Sequence, residues 1–522
     1  MLFCGSFFIF YFTMKHIYII FLFFILTSLK AQKYDYNWVI GYDSIATAKG
    51  GTLLDFNFKP RKISYLKKIA NMWSAVLSMS DANGNLMFYS NGCFLYNANH
   101  QKIKNGDSPQ GDYAFGVYCA KVPEHDASAP IDQSLFSIPH SDSSRIFYVF
   151  GNNGLFLGEP YSTYISDGLF MSKVDMGQND GDGEVTAKKI LVIKDTLLMG
   201  GIDAVKHSNG KYWWLIAKQN YSNCYWLTLF DAKGNILKQS KQCIGDETLL
   251  KDSGVHAKFS PDGNKFIFSA GTPQGDNLPW KNSMHIYDFD RCTGLLANYK
   301  TFDLTGTDGL LPYFSISPNN RFLYATTQIY AYQYDLQAAD IGKSKILVAT
   351  YDGFVDKFPS RFLIHQLAPD NKIYIGTGSS TKYYHVINNP DSLGLKCDFQ
   401  QHSIKLASYN FWTVPNYPNY RLGASATSCP FVSTKENERE DVAWRIRISP
   451  NPATTYAILE DINEDNTLWK TDIFDLQGRL IIHFTWKNTA DIDLSQFVKG
   501  IYVIRNENQN GSSFAIVKLI VE

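Results

Sequence analysis

The chain repeats one local device at a long interval, and that repeat restricts its fold more than any other feature. A turn rich in Pro, Asp, Asn, Ser and Gly separates two apolar or aromatic runs in SDANGNLMFYS near Gly84, SDSSRIFYVFG near Ser143, HSNGKYWWLIA near Gly210, SPDGNKFIFSA at Gly263, SPNNRFLYATT near Asn320 and APDNKIYIGTG near Asn371. The copies lie 51 to 67 residues apart. Pro presets φ in such a turn while Asp, Asn and Gly tolerate its tight geometry, so each copy reads as a hairpin. A second aromatic strand ending in a polar turn follows at a variable distance, as in YWLTLFDAKGN, MHIYDFDRCTG, YAYQYDLQAAD and YYHVINNPDSLG. Each unit therefore supplies about four strands, the content of one propeller blade.

The strand after each turn is apolar almost throughout (KFIFSA, RFLYATT, KYWWLIA). A strand reads this way when both faces are buried, as in a blade packed between two neighbours. The repeats leave KYDYNWVIGY through GGTLLDFNF ahead of them and HSIKLASYNFWTVPNYPNYRLG behind. Together these are expected to form a seventh blade, closed by strands from both ends so that no free sheet edge remains. The expected fold is all-β: a seven-bladed β-propeller over 32–430, with six or eight blades as alternatives, then a linker at 431–443 and a small immunoglobulin-like β-sandwich over 444–522.

Charge and the N-terminus bound the function. Lys+Arg and Asp+Glu number 49 each, so no positive excess is available to neutralise a phosphate backbone, and nucleic acid is not an expected partner. From Met14 the chain reads MKHIYIIFLFFILTSLKAQ: a basic start, an apolar run and small residues, which is a secretory signal ending at Ala31, with Met14 as the expected true start. The run is too short for a membrane anchor, and none is expected once it is removed. Export permits disulfides, and the seven cysteines after Cys4 leave at least one thiol unpaired. Cys224 and Cys243 are equidistant from the turn at Lys233-Gly234, so an undistorted hairpin sets them opposite each other, as a disulfide or as two buried thiols. The chain holds no CxxC or HExxH motif, so a structural zinc site is not expected.

Beyond the charged stretch STKENEREDVA, the last residues carry four motifs in order: SPNPA, DLQGR, DLSQFVKGIYVIR and the terminal KLIVE. This segment resembles the type A sorting domain of the type IX secretion system of Bacteroidetes. The resemblance implies passage through the periplasm, recognition of the folded tail by the secretion machinery at the outer membrane, and release or display at the cell surface. Pro450, Asn451, Pro452, Gly478, Arg479, Gly500, Tyr502 and Lys518 fall on its motif positions. Gly478 and Gly500 would equally serve the turns of any small sandwich, and Pro452 would end a strand. The larger part, through its SPDG-type turns, IYDFDRCTG, HVINNPDSLG and VPNYPNYRLG, resembles the exported WD40-like or TolB-like propeller proteins of the same bacteria, a scaffold that hosts many functions.

Catalytic motifs are absent from the sequence. GASAT at Gly423 lacks the second glycine of a nucleophile elbow, and no SPDG copy continues into the Thr-Trp of a sialidase box. Paired carboxylates for glycoside cleavage would have to come from different blades. The acidic loop VDMGQNDGDGEV offers Asp175, Asp180, Asp182 and Glu184 as a weak calcium candidate, but its spacing departs from the D-x-D-x-D-G loop, so no cofactor is expected and a solvated hairpin tip is the alternative. Tyr113, Phe115 and Tyr118, in the longest stretch that does not read as strand and turn, are candidates for stacking on a ligand or, alternatively, core residues of an inter-blade crossing. The expected function is an exported, non-catalytic binding module for an extracellular glycan, peptide or protein. An extracellular carbohydrate-active hydrolase or lyase, or a structural component of a surface assembly, are the alternatives.

Overall fold

The repeated turns close on their own side chains. In SPDG the Gly263 N–H donates to Ser260 O (2.8 Å) and the Asn264 N–H to Asp262 Oδ1 (3.1 Å). Asp81 and Asp231 do the same for their turns, each accepting two backbone N–H groups on Oδ1. A short side-chain acceptor within the turn thus replaces the missing ladder bonds, which is why Asp and Asn recur there. Gly263 has φ +73° and no room for a side chain: a Cβ would lie 2.7 Å from Val205 and 2.9 Å from Arg291 and Leu422.

The computed structural model describes residues 32–43, 50–67, 70–73, 75–123, 127–129, 133–157, 163–247, 256–272, 281–304, 313–425, 429, 440–441, 446–462, 466–475, 479–509 and 513–522. The expected signal at 1–31, nearly all of the linker, Trp444 and Gly478 lie outside them. The chain divides into two compact units, 1–429 and 430–522.

In the first unit the strands run in antiparallel meanders. The N-terminal sheet joins β1 (Asn37–Ile40), β2 (Gly50–Asp55) and β3 (Lys62–Lys67). Next come β4 (Leu77–Ser80), β5 (Leu86–Ser90), β6 (Phe94–Asn97) and β7 (Lys102–Asp107), followed by the short helix α1 (Asp112–Tyr118). The third meander is β8 (Leu135–Pro139), β9 (Ile146–Leu157), β10 (Thr163–Asp175) and β11 (Glu184–Ile193). The fourth is β12 (Leu197–Lys206), β13 (Trp213–Gln219), β14 (Cys224–Phe230) and β15 (Ile236–Cys243). Side pairings of β10 with β12, and of β11 with β7, link these three into one twelve-stranded sheet. Three separate four-stranded sheets follow: β16 (Ala257–Phe259) to β19 (Leu296–Leu304), β20 (Tyr313–Ile316) to β23 (Ile346–Thr350), and β24 (Phe362–Leu367) to β27 (Phe399–Asn410).

Each meander packs on the next and the last returns to the first. β1 lies against β4, β4 against β8, β12 against β16, β20 against β24, and β27 against β2 and β3. Ile267 and Met284 of one sheet share a core with Phe314 and Ile316 of the next. Strands such as Phe322–Thr326 and Ile373–Thr377 are buried on both faces, as sandwiched sheets require. The result is a propeller-like ring.

Closure differs from the expected seventh blade. The three strands of the N-terminal sheet all precede Leu77, and the segment from Phe411 to Gly423 forms no strand. Pro415 and Pro418 have no N–H to give a ladder. Instead Thr413–Tyr420 crosses the middle of the ring, buried almost throughout. Thr413 O accepts from Tyr384 Oη, Tyr417 Oη donates to Asn37 O, and Tyr420 Oη donates to Ser137 O (2.7 Å). The rings of Tyr417 and Tyr420 also meet Trp38 and Trp213. The ring is closed by β27 against the N-terminal sheet, with the Tyr42–Tyr409 bridge between them, and this segment fills its middle as a plug.

The second unit has two sheets. One contains β28 (Glu440–Asp441), β31 (Trp469–Asp475), β32 (Leu480–Trp486), β34 (Gly500–Asn508) and β35 (Ser513–Val521); the other contains β29 (Ile446–Ser449), β30 (Tyr456–Asp461) and β33 (Thr489–Asp493). Ile446, Leu459 and Ile492 from one meet Trp469, Ile473, Ile504 and Leu519 from the other in a single core.

Candidate functional site

Where the repeated turns converge on the plug, a cavity of about 360 Å³ opens. Its wall alternates apolar residues (Pro261, Pro318, Leu367, Pro418) with Asn320, Gln366, Asn371 and Asn419, and two carboxylate–cation couples reach it. Polar residues enter by register. Lys258, Ser315 and Gln366 each stand two residues before the first residue of their turn (Ser260, Ser317, Ala368), on the first strand of successive sheets. The pleat therefore delivers all three to the same level of the ring.

Lys258 is buried. Its ammonium donates to Gln366 Oε1 (3.2 Å), to Asn416 Oδ1 and to Tyr417 O (3.5 Å), so it holds the plug to two sheets. Asp203, on β12, is buried too; its Oδ1 accepts the Ala204 N–H (2.9 Å) and its Oδ2 the Phe259 N–H (2.8 Å). Burial raises the Asp203 carboxyl to about 6 against the opposing pull of Lys258 and the two N–H groups. Burial likewise lowers Lys258, against the attraction of Asp203. Across the cavity, Arg421 Nη1 donates to both oxygens of Asp35 (2.6 and 2.8 Å), tying the end of the plug to the start of the chain. Arg291 completes the anchorage: Nε donates to Lys206 O (2.8 Å) and Nη2 to Gly423 O (2.6 Å).

The residues singled out from sequence lie elsewhere. Tyr113, Phe115 and Tyr118 sit on α1, and only Tyr113 is exposed. Phe115 packs edge-on to Phe94, and both it and Tyr118 cover the Cys93–Cys119 disulfide. The three do not form a common face. Asp175, Asp180, Asp182 and Glu184 are not brought together around a cation either. Asp175 caps the Gly177 N–H, Asp182 accepts from Asn97 and Glu184 takes Lys104 and Asn105, while Asp180 is exposed. Cys224 and Cys243 face each other in register and form a disulfide, as do Cys292 and Cys429; Cys397 is free and buried.

His207, Cys292 and Cys429 cluster closely enough to suggest a metal site. However, the two sulfurs are bonded to each other, and His207 Nδ1 accepts the Asn209 N–H (3.0 Å), which leaves the ring proton on Nε2 facing Cys292 O. No ligand lone pair is left to a cation in this state. His365 and His385 are held neutral by burial, at about 3 each.

In the second unit the motifs meet in space. Asn451 Nδ2 donates to Lys518 O (2.6 Å) and its Oδ1 accepts the Ile520 N–H (2.9 Å), so the SPNPA turn is clamped to the terminal strand. Pro450 and Pro452 flank that clamp. Arg479 Nε pairs with Asp475 Oδ2 (2.6 Å), and Tyr502 Oη donates to Val498 O (2.7 Å) just before Gly500. Both side chains brace turns.

Asp203, Lys258, Gln366, Asn416 and Arg421 escape motif reading because they come from three separate sheets and from the plug. The signal that could have found three of the cavity residues is the recurring polar residue at one offset, Lys258, Ser315 and Gln366, in strands otherwise apolar.

Residues 447–522 match the family described as the secretion system C-terminal sorting domain. The chain thus carries a type IX secretion tail and is exported to the cell surface or released. No curated protein sequence matches it. Similar solved structures include hydrazine synthase of Kuenenia stuttgartiensis (13% identity, 72% of this chain and 96% of that one, TM-score 0.35). Periplasmic gluconolactonase of Pseudomonas aeruginosa is another (11%, 72% and 97%, 0.38). PorZ, a type IX secretion component of Porphyromonas gingivalis, is a third (10%, 94% and 75%, 0.19). No activity is transferred from these likenesses.

Proposed function

We propose that the exported chain is a seven-bladed propeller followed by an immunoglobulin-like sorting domain, and that the propeller is a non-catalytic binding module. Its cavity at the mouth of the plugged ring takes a small hydroxyl-rich ligand, a saccharide or the end of a glycan. The observation that carries this reading is the commitment of every charged group at the main couples. Asp35 is closed by Arg421, both Asp203 oxygens accept backbone N–H groups, and Lys258 has three protein acceptors. Among the described residues these groups are held by protein partners, and amides above apolar walls supply the mixed contacts of a saccharide site. The raised carboxyl of Asp203 is the one feature that favours a hydrolase instead.

The test is the full chain against a panel of mono- and oligosaccharides, measuring binding heat and new reducing ends. Binding without new ends, lost in Leu422→Trp, which narrows the cavity mouth, supports the module. New ends that vanish in Asp203→Asn would replace it by the hydrolase.

A further inference from the structure

A second surface, made of other residues than those lining the cavity, combines exposed and half-buried aromatic rings with two lysine ammonium groups. On one rim the rings of Tyr42, Trp73 and Phe411 follow one another at centroid spacings of 5.8 Å, and Trp412 continues the row at 5.7 Å. Tyr42 is bound through its backbone N–H to Tyr409 O (2.8 Å), which joins this row to a second aromatic group. There Lys382 and Lys357 lie over the ring of Tyr409, at 4.7 and 5.6 Å from its centroid, and Lys357 also lies 6.0 Å from Phe358. Trp73 is 40% exposed and Phe358 44%.

Among the described residues neither ammonium group has a carboxylate partner. The nearby carboxylates are held on other donors, Asp352 on His402 (2.9 Å) and Asp356 on the Lys382 backbone N–H (3.0 Å), rather than on the ammonium groups. Trp412 adds an independent sign of a built surface. Its φ of +51° is a conformation that bulky residues rarely adopt, and among the described residues its buried indole N–H has no partner. Strain and an orphaned donor of this kind gather at ligand sites.

We infer that this rim binds an anionic glycan of the polyuronate class. Rings spaced along a row offer apolar faces to successive sugar rings, and the two lysines take the carboxylates. Both ammonium groups lie against the aromatic ring itself, so the anion must sit directly on the stacked sugar. The carboxyl carbon of a uronate, bonded to its pyranose ring, meets that condition. The inference rests on the binding-module reading but uses a different surface from the cavity.

Affinity electrophoresis of the full chain through gels containing polygalacturonate, dextran or dextran sulfate tests it. Retardation by polygalacturonate alone is expected. Lys357→Gln/Lys382→Gln should weaken it roughly tenfold, as two modest ion pairs would. About 1 M NaCl, where charges are screened within about 3 Å, should do the same. Trp73→Ala should weaken binding at every salt concentration, and Leu422→Trp should leave it unchanged. No retardation by polygalacturonate, equal retardation by dextran sulfate, or indifference to the lysine pair would each overturn the inference. Such a failure alongside intact saccharide binding at the cavity would leave the proposed function standing.

Discussion

Replacing Lys258 by Met removes the ammonium group that joins the plug to two sheets, and its cost follows from the contacts it makes. Gln366 Oε1 and Asn416 Oδ1 lose a charged donor inside the ring, and Asp203 loses the cation that lowers its carboxyl. Removing one partner of a buried charge pair costs about 3–5 kcal/mol, and Met fills much the same volume, so the loss is electrostatic rather than a cavity effect. In the native chain the Asp203 carboxyl rises from 3.8 to about 6, a shift of about 3 kcal/mol. With the folded value raised, the stability associated with its protonated form is fully present below 3.8 and is lost as pH climbs through 6. Without Lys258 the folded value rises further, so the added penalty falls at the pH values where Asp203 would otherwise ionise. Urea unfolding at about pH 5 and about pH 8, followed on the transition of higher m-value, should show a larger loss at the higher pH. Asp203→Asn/Lys258→Met should lose less than the sum of the two single variants. A Lys258→Met variant within about 1 kcal/mol of the native chain at both pH values would refute the coupling, as would strict additivity.

Other expectations follow from the same contacts. Replacing both Cys292 and Cys429 by Ser opens a loop spanning 137 residues, against 19 for Cys224 and Cys243. On loop entropy the first pair should cost about 2 kcal/mol more than the second, measurable by urea midpoint. Gly263→Ala, forced to φ +73° with Val205, Arg291 and Leu422 in the way, should lose about 1–3 kcal/mol; an unchanged melting temperature would contradict the crowding. Deleting residues 444–522 should strand the chain in the periplasm, and surface labelling of the truncated protein would disprove the role assigned to the tail.

How much was legible depended on how local each feature is. The turn at Ser260–Gly263 and the doubly buried strand after it are read from a dozen contiguous residues, because Asp262 and Gly263 shape their own backbone. The tail is similar: SPNPA and KLIVE are recognisable as strings, although only the fold reveals that Asn451 grips the backbone at Lys518 and Ile520. For Tyr113, Phe115 and Tyr118 the sequence left stacking and core roles open, because an aromatic stretch looks the same whether it faces solvent, like Tyr113, or covers a disulfide, like Phe115. The segment HSIKLASYNFWTVPNYPNYRLG was expected to help close a seventh blade; its first part lies in β27, while the two prolines of the rest suit it to fill the ring.

Local chemistry, then, was enough to determine the repeat, the all-β architecture, the export tail and the facing of Cys224 and Cys243, since each depends on turns and periodicity within one stretch of chain. The plug, the cavity and the charged couples were decided only by tertiary structure. Lys258 finds its partners 108, 158 and 159 residues away, and Arg421 reaches Asp35 across 386. Contacts at such separations arise where closure of the ring brings residues of distant sheets against the plug, and no window along the sequence contains them.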